Sequence, residues 1–263
     1  MPDIDRLSQL AAAILLAYAL SRIVTLPPLS LGTQLPGVYL EVAINVTTVV
    51  TLLVAGLTAT GADMLLRSHP AMKKSTFEHW LLPALTAWVI GVPLVRLPLG
   101  PLWLASFAVG GTLLMLVLIA EYIAVDPQDS RYAPASAGLT AVSFALFLAL
   151  AIVMRSTGSR LYLVLPALVL SAGLVILRTL HLRLVGRWLV LESVVLVLIV
   201  GQLAAALHYL PLSPITFGLA LLGPAYALTS FVASLTEGQT WRRAIVEPLV
   251  VLVVVWGTAL LTV

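Results

Sequence analysis

Glu41, Asn45 and Thr48 stand at i, i+4 and i+7 of an apolar run. On a helix this spacing puts a carboxylate, an amide and a hydroxyl on one face. A carboxylate at membrane depth costs about 2.5–3.5 kcal/mol on insertion scales, so it calls for a partner or a function. Arg22 and Arg96 are the bases expected near the outer ends of neighbouring helices, and either can pair with Glu41. The chemistry open to this set is a packing ion pair or a ligand or proton site.

A second set is acidic. Glu121, Glu192 and Glu247 fall a turn or so inside the ends of apolar runs, with Arg178, Arg183, Arg187, Arg242 and Arg243 at similar depth. Interfacial ion pairing is the first reading. Glu192 and Glu247 are expected in the opening turns of their helices, where the helix dipole favours a negative charge. A cluster that binds a cation or relays a proton is the alternative. Gln202 stands mid-run further on, and Tyr226 follows Gly223-Pro224. Small residues at mid-depth, such as Gly110-Gly111 and Ser171-Ala172-Gly173, are read as close helix packing. The competing reading is backbone opened to a substrate.

Other chemistry is missing from the sequence. There is no cysteine, hence no disulfide, thiolate nucleophile or Cys-ligated metal. His69, His79, His181 and His208 form no i, i+4 pair. Phosphate-loop, His-Glu-x-x-His and Gly-x-Ser-x-Gly patterns do not occur. Asp126 and Asp129 flank Pro127 in a loop rather than facing one another in a helix. No catalytic set, metal site or cofactor is expected.

The elements that must position these residues follow from composition. The chain has 263 residues, 61% hydrophobic and 10% charged, against about 25% charged in a soluble domain. Soluble, disordered and nucleic-acid-binding readings are excluded. An all-α polytopic transmembrane bundle is expected, forming a single integral membrane domain over 1–263. Runs of about 20 apolar residues are read at 7–26, 38–60, 79–97, 101–125, 134–154, 161–178, 187–210, 214–234 and 244–263. That makes about nine spans. Seven or eight result if 79–97, with its Pro83, Pro93 and Arg96, or the short 161–178 fails to cross.

Ser213-Pro214 reads as an N-cap followed by proline at the first helical position, and Gly100-Pro101 and Ala133-Pro134 read as helix openings. Trp80, Trp103, Trp188 and Trp241 fall near helix starts, as an interfacial belt would place them. Nine spans put ten Lys and Arg on the N-terminal side and four on the other, which predicts N-in and C-out. Short outer connections suggest four outward-closed hairpins and a final helix. Arg96-Leu-Pro-Leu-Gly-Pro101 and Tyr209-Leu-Pro-Leu-Ser-Pro214 resemble one another, as tight turns or as traces of duplication.

Three functional classes are compatible with this pattern. A small-solute or ion carrier or channel-like protein comes first, on the polar face of the second span. A non-catalytic membrane subunit or scaffold is next. An enzyme acting on lipid or polyprenyl substrates is third. The expected partners are membrane lipids, with a homo-oligomer or another membrane protein as candidates and no nucleic acid. The expected home is the plasma membrane of a bacterium or archaeon. The basic asymmetry predicts that the loop holding Lys73 and Lys74 is cytoplasmic. A cysteine introduced at Ser75 should react with a membrane-impermeant thiol reagent only after lysis, and labelling in intact cells would reverse the orientation.

Overall fold

A computed structural model of the chain describes residues 4–21, 29–35, 38–44, 46–72 and 76–261. Among these residues, nine α-helices follow one another: α1 (Ile4–Ser21), α2 (Val46–Leu66), α3 (Leu81–Arg96), α4 (Pro101–Ile123), α5 (Tyr132–Ser156), α6 (Leu161–Arg183), α7 (Val190–His208), α8 (Pro214–Thr236) and α9 (Trp241–Leu260). A 3-10 turn, Phe77–His79, leads into α3. Eight helical segments are long and apolar enough to cross a membrane, α1 not being counted among them. Large apolar side chains such as Leu116, Leu191 and Val253 are exposed on the perimeter, where hydrocarbon rather than water would meet them. The fold is a polytopic transmembrane helix bundle.

The second expected span is corrected. Residues 38–44 form strand β2 (Val38–Ile44), paired antiparallel with β1 (Leu29–Leu35), and α2 begins only at Val46. Glu41 pairs with Gly32 across this hairpin. Glu41 therefore lies on a strand and Thr48 in a helix, so the two do not share a helical face. The reason is visible locally. Val38, Tyr39, Val42 and Ile44 are β-branched or aromatic, and a Pro-Gly pair separates the two strands in sequence. A short apolar run cannot be assigned to helix or strand by hydrophobicity alone.

The helix ends follow their sequence signals with two exceptions. Ser213 Oγ accepts from Thr216 N at 3.1 Å, with Pro214 opening α8. Gly100 precedes Pro101 at the start of α4. Helix α5 starts earlier than expected, at Tyr132, which leaves Pro134 inside its first turn. Trp103 does not belong to an interfacial belt. It is buried, and its Nε1 donates to Leu94 O at 2.9 Å.

Packing divides into two apolar cores. One gathers Phe147, Leu150, Leu168, Ile176, Leu180, Phe217 and Leu221 from α5, α6 and α8. The other gathers Ile14, Tyr18, Val54, Leu94 and Leu114 from α1 to α4. Helices α3 and α4 belong to both: Leu85 and Val117 face the first, Ile90 and Leu118 the second. At one end of the bundle Arg155 of α5 donates to His208 O and Leu210 O, both at 2.7 Å, and caps the carbonyl end of α7. At the opposite end Tyr132 Oη donates to Leu182 O at 2.9 Å, and His69 meets Tyr122 edge-on. There too, hydrogen bonds from Arg131 hold Asp129 down at about 2 in the 124–131 connection.

Glycines at mid-depth serve close packing. Pro224 lacks the N–H that would bond Ala220 O, and Trp256 Nε1 of α9 donates to that carbonyl at 3.3 Å. The indole lies against Gly223, where a Cβ would come within 3.1 Å of it. On the other side of the bundle, Tyr18 Oη donates to Ala87 O at 2.5 Å, and a Cβ on Gly91 would sit 2.6 Å from that hydroxyl. Gly91→Ala should therefore displace the ring and cost about 1–3 kcal/mol. Gly56→Ala, with nothing within 4 Å of the new methyl, should stay within about 0.5 kcal/mol of the parent. Thermal unfolding of the two variants in detergent checks the contrast.

Candidate functional site

The polar residues converge at the end of the bundle that carries residues 67–72. His79, Glu121 and Arg178 come from the 3-10 turn, the last turns of α4 and the last turns of α6. Glu121 is fully buried and Arg178 is 1% exposed. Arg178 Nε donates to Glu121 Oε1 at 3.1 Å, and Nη2 donates to Oε2. This is the forked geometry that guanidinium and carboxylate favour.

His79 Nδ1 lies 2.7 Å from Glu121 Oε2 and 3.1 Å from Arg178 Nη2. A guanidinium only donates, and one ring nitrogen cannot donate to Glu121 and accept from Arg178 at once. The Nδ1–H···Glu121 tautomer is the one that satisfies the carboxylate, and the approach to Arg178 is then a contact without a bond. Formal charge cancels within the set.

Two cavities lie on either side of the end of α6, and Leu182 belongs to the wall of both. The larger, about 410 Å³, is a cleft between α5, α6 and α8. Its α5 wall is small or apolar: Ser136, Ala137, Thr140, Ala141 and Phe144. These are i, i+1, i+4, i+5 and i+8, one helix face, with side chains too short to fill the space. Ala137 and Ala141 remain exposed, so the cleft opens at the perimeter of the bundle.

The opposite walls of the cleft are polar. Thr179 and Arg183 come from α6, and Tyr226, Thr229 and Ser230 from α8. Each nitrogen of Arg183 makes one bond: Nε to Glu237 at 2.7 Å, Nη1 to Ser230 at 2.9 Å and Nη2 to Ser234 at 3.1 Å. Glu247 of α9 accepts from Tyr226 Oη at 3.1 Å and from Ser230 Oγ at 3.4 Å.

Thr179 departs from the pattern of its kind. Thr58, Thr86 and Thr229 each donate to the carbonyl four residues back. Thr179, only 5% exposed, has no partner for its hydroxyl. It lines the cleft with an unpartnered polar atom.

The expected site residues are therefore regrouped. Glu121 enters a buried ion pair. Glu247 and Tyr226 come together beside the cleft. Glu192 and Gln202 are exposed on the surface of α7, away from both cavities. Arg22 and Asn45 lie outside the described residues, as do the side chains of Glu41, Thr48 and Arg96, so the expected Glu41 pair lies outside them as well. His79, Thr179 and His181 were not singled out from sequence. Their partners stand far off in the chain, with His79 and Arg178 separated by 99 positions. The one local signal is the polar run Arg178-Thr179 and His181 through Arg183 at the end of an apolar helix. Among the described residues, no group of three or more His, Asp or Glu is arranged to hold a metal ion.

Fold and site together define a polytopic membrane protein with polar cavities gathered at one end. The chain belongs to the family described as "Protein of unknown function (DUF5656)", whose model matches residues 26–262. No curated protein and no solved structure matches the chain.

Removing Glu121 alone would leave the Arg178 charge buried and unpaired. Glu121→Ala should cost about 3–5 kcal/mol. Adding Arg178→Met should recover part of that loss, because no buried charge then remains. Unfolding midpoints of the two variants in detergent test this, and a double variant less stable than Glu121→Ala would contradict it.

Proposed function

We propose that the protein binds and carries a small amphiphile in the cleft between α5, α6 and α8. The carrying observation is the make-up of the cleft's walls: short side chains and Phe144 on the open α5 side, and the arginine, tyrosine and remaining hydroxyls where α6 and α8 meet. Its volume falls in the range of small-molecule sites, about 300–1,000 Å³. From Ser136 to Phe144 the α5 wall runs eight residues, about 12 Å along the helix axis, roughly two fifths of a bilayer's hydrocarbon thickness.

The polar end suits an uncharged or zwitterionic head. Arg183 has its three nitrogens committed, while Thr179 Oγ1 is unpartnered. The excess of Lys and Arg supports a cytoplasmic position for this end, and the head would then lie toward the inner leaflet. Exposed Ala137 and Ala141 supply the side opening through which a tail can enter from lipid.

Native mass spectrometry of the chain released from lipid nanodiscs tests the reading. One bound amphiphile per chain is expected. Ala141→Trp, which fills the cleft from its exposed wall, should abolish the binding without unfolding the bundle. A parent chain that emerges with nothing bound would refute the proposal. Recovery of a chemically altered amphiphile would replace carriage with catalysis.

A further inference from the structure

We propose that the second, smaller cavity is a binding site for a small oxyanion. This cavity, about 160 Å³, is lined by His79, Tyr132, Arg178, His181 and the turn at Val185-Gly186, with Glu78 and Ala71 among the remaining walls. It shares Leu182 with the cleft but is a separate space with different chemistry.

The donors come first. Arg178 uses Nε and Nη2 on Glu121, and Nη1 carries no hydrogen bond to any described residue. A guanidinium cannot accept and stays charged, so the two N–H groups of Nη1 need an acceptor from whatever fills the cavity. His181 lies three residues on, on the same face of α6. It is 8% exposed, packs its ring on Trp188 at 4.3 Å, and its Nδ1 has no partner. Buried polar atoms are nearly always paired, and this ring nitrogen, against the cavity, is not. In the Nδ1–H tautomer His181 adds a third donor beside the two of Arg178.

The acceptor-bearing side chains at or beside the cavity are Glu121, Tyr132 and Glu78. Glu121 holds Arg178 and His79. The Tyr132 hydroxyl hydrogen goes to Leu182 O. Glu78 is engaged in an interaction of its own. A compact group with several adjacent lone pairs, as on phosphate, sulfate or a carboxylate, would meet Arg178 Nη1 and His181 Nδ1 together. A cation would face the guanidinium, and a purely apolar occupant would leave the N–H groups unpaired. The proposal stands on this cavity alone, so the amphiphile reading and this one can fail separately.

Equilibrium dialysis of the purified full-length chain against labelled inorganic phosphate tests it, with sulfate and acetate as competitors. Saturable binding of one phosphate per chain is expected, displaced by sulfate and, for a general carboxylate site, by acetate. His181→Phe keeps the ring on Trp188 and removes the donor, and should weaken binding about tenfold or more. Ala71→Trp closes the mouth from an exposed position and should also reduce binding if His181→Phe fails to fold. Arg187→Gln, an exposed base at the same end, should leave affinity unchanged. The proposal is overturned if the folded parent binds none of the three ions. It is equally overturned if Arg187→Gln abolishes binding while Ala71→Trp does not, since the ion would then sit on the surface.

Discussion

The ion pair between Glu121 and Arg178 is the constraint on which the arrangement of this bundle depends. Two charges with almost no exposure are each costly in a low-dielectric interior, and they are tolerable only in contact with one another. Meeting that requirement fixes the last turns of α4 against the last turns of α6, and His79 ties in the segment leading to α3. These elements come from both apolar cores, so the pair joins them at one depth. Replacing such a pair by apolar side chains is often neutral or better for stability. Its use here is geometric, because it admits one rotation of α6 about its axis.

That rotation decides what the two cavities receive. Successive residues on a helix turn by about 100°. With Arg178 directed at Glu121, His181 at i+3 falls on the same side, against the smaller cavity. Thr179 and Arg183, themselves i and i+4, fall on the other, against the cleft. Arg183 then reaches Ser230, Ser234 and Glu237 and holds the end of α6 to the end of α8. One buried contact thus sets two chemically different surfaces on a single helix.

Most of the architecture was legible because bilayer depth leaves a strong record: long apolar runs separated by charge, proline and glycine. The ends of α4 and α8 followed Gly100-Pro101 and Ser213-Pro214 directly. The run at 38–44 is a strand rather than part of a helix, because hydrophobicity alone does not distinguish the two in a short apolar run and its β-branched residues carry the better signal. The polar site was legible only in part. Glu121, Tyr226 and Glu247 stood out because polar groups are scarce in such runs. Their partners did not, since the contacts join residues tens of positions apart. Thr179 could not be found from sequence at all. A helical threonine usually returns its hydroxyl to the carbonyl four residues back, and only the folded structure reveals that Thr179 does not.

The cleft's chemistry also bears on what the proposed amphiphile could do after binding. A neutral hydrogen bond contributes about 0.5–1.5 kcal/mol net. The side chains offered to the head are hydroxyls, and the one guanidinium is already neutralised by Glu237. A charged head held by a free arginine would be retained strongly. A head held by two or three hydroxyls, with a tail in contact with small alanines, gains enough to be selected and little enough to leave. The same economy of charge explains why α5 presents serine, alanine and threonine along this wall rather than leucine. A bulky side chain there would complete the packing of α5 on α8 and remove the space, whereas small ones keep the helices together through their neighbours while the cleft stays open to the membrane.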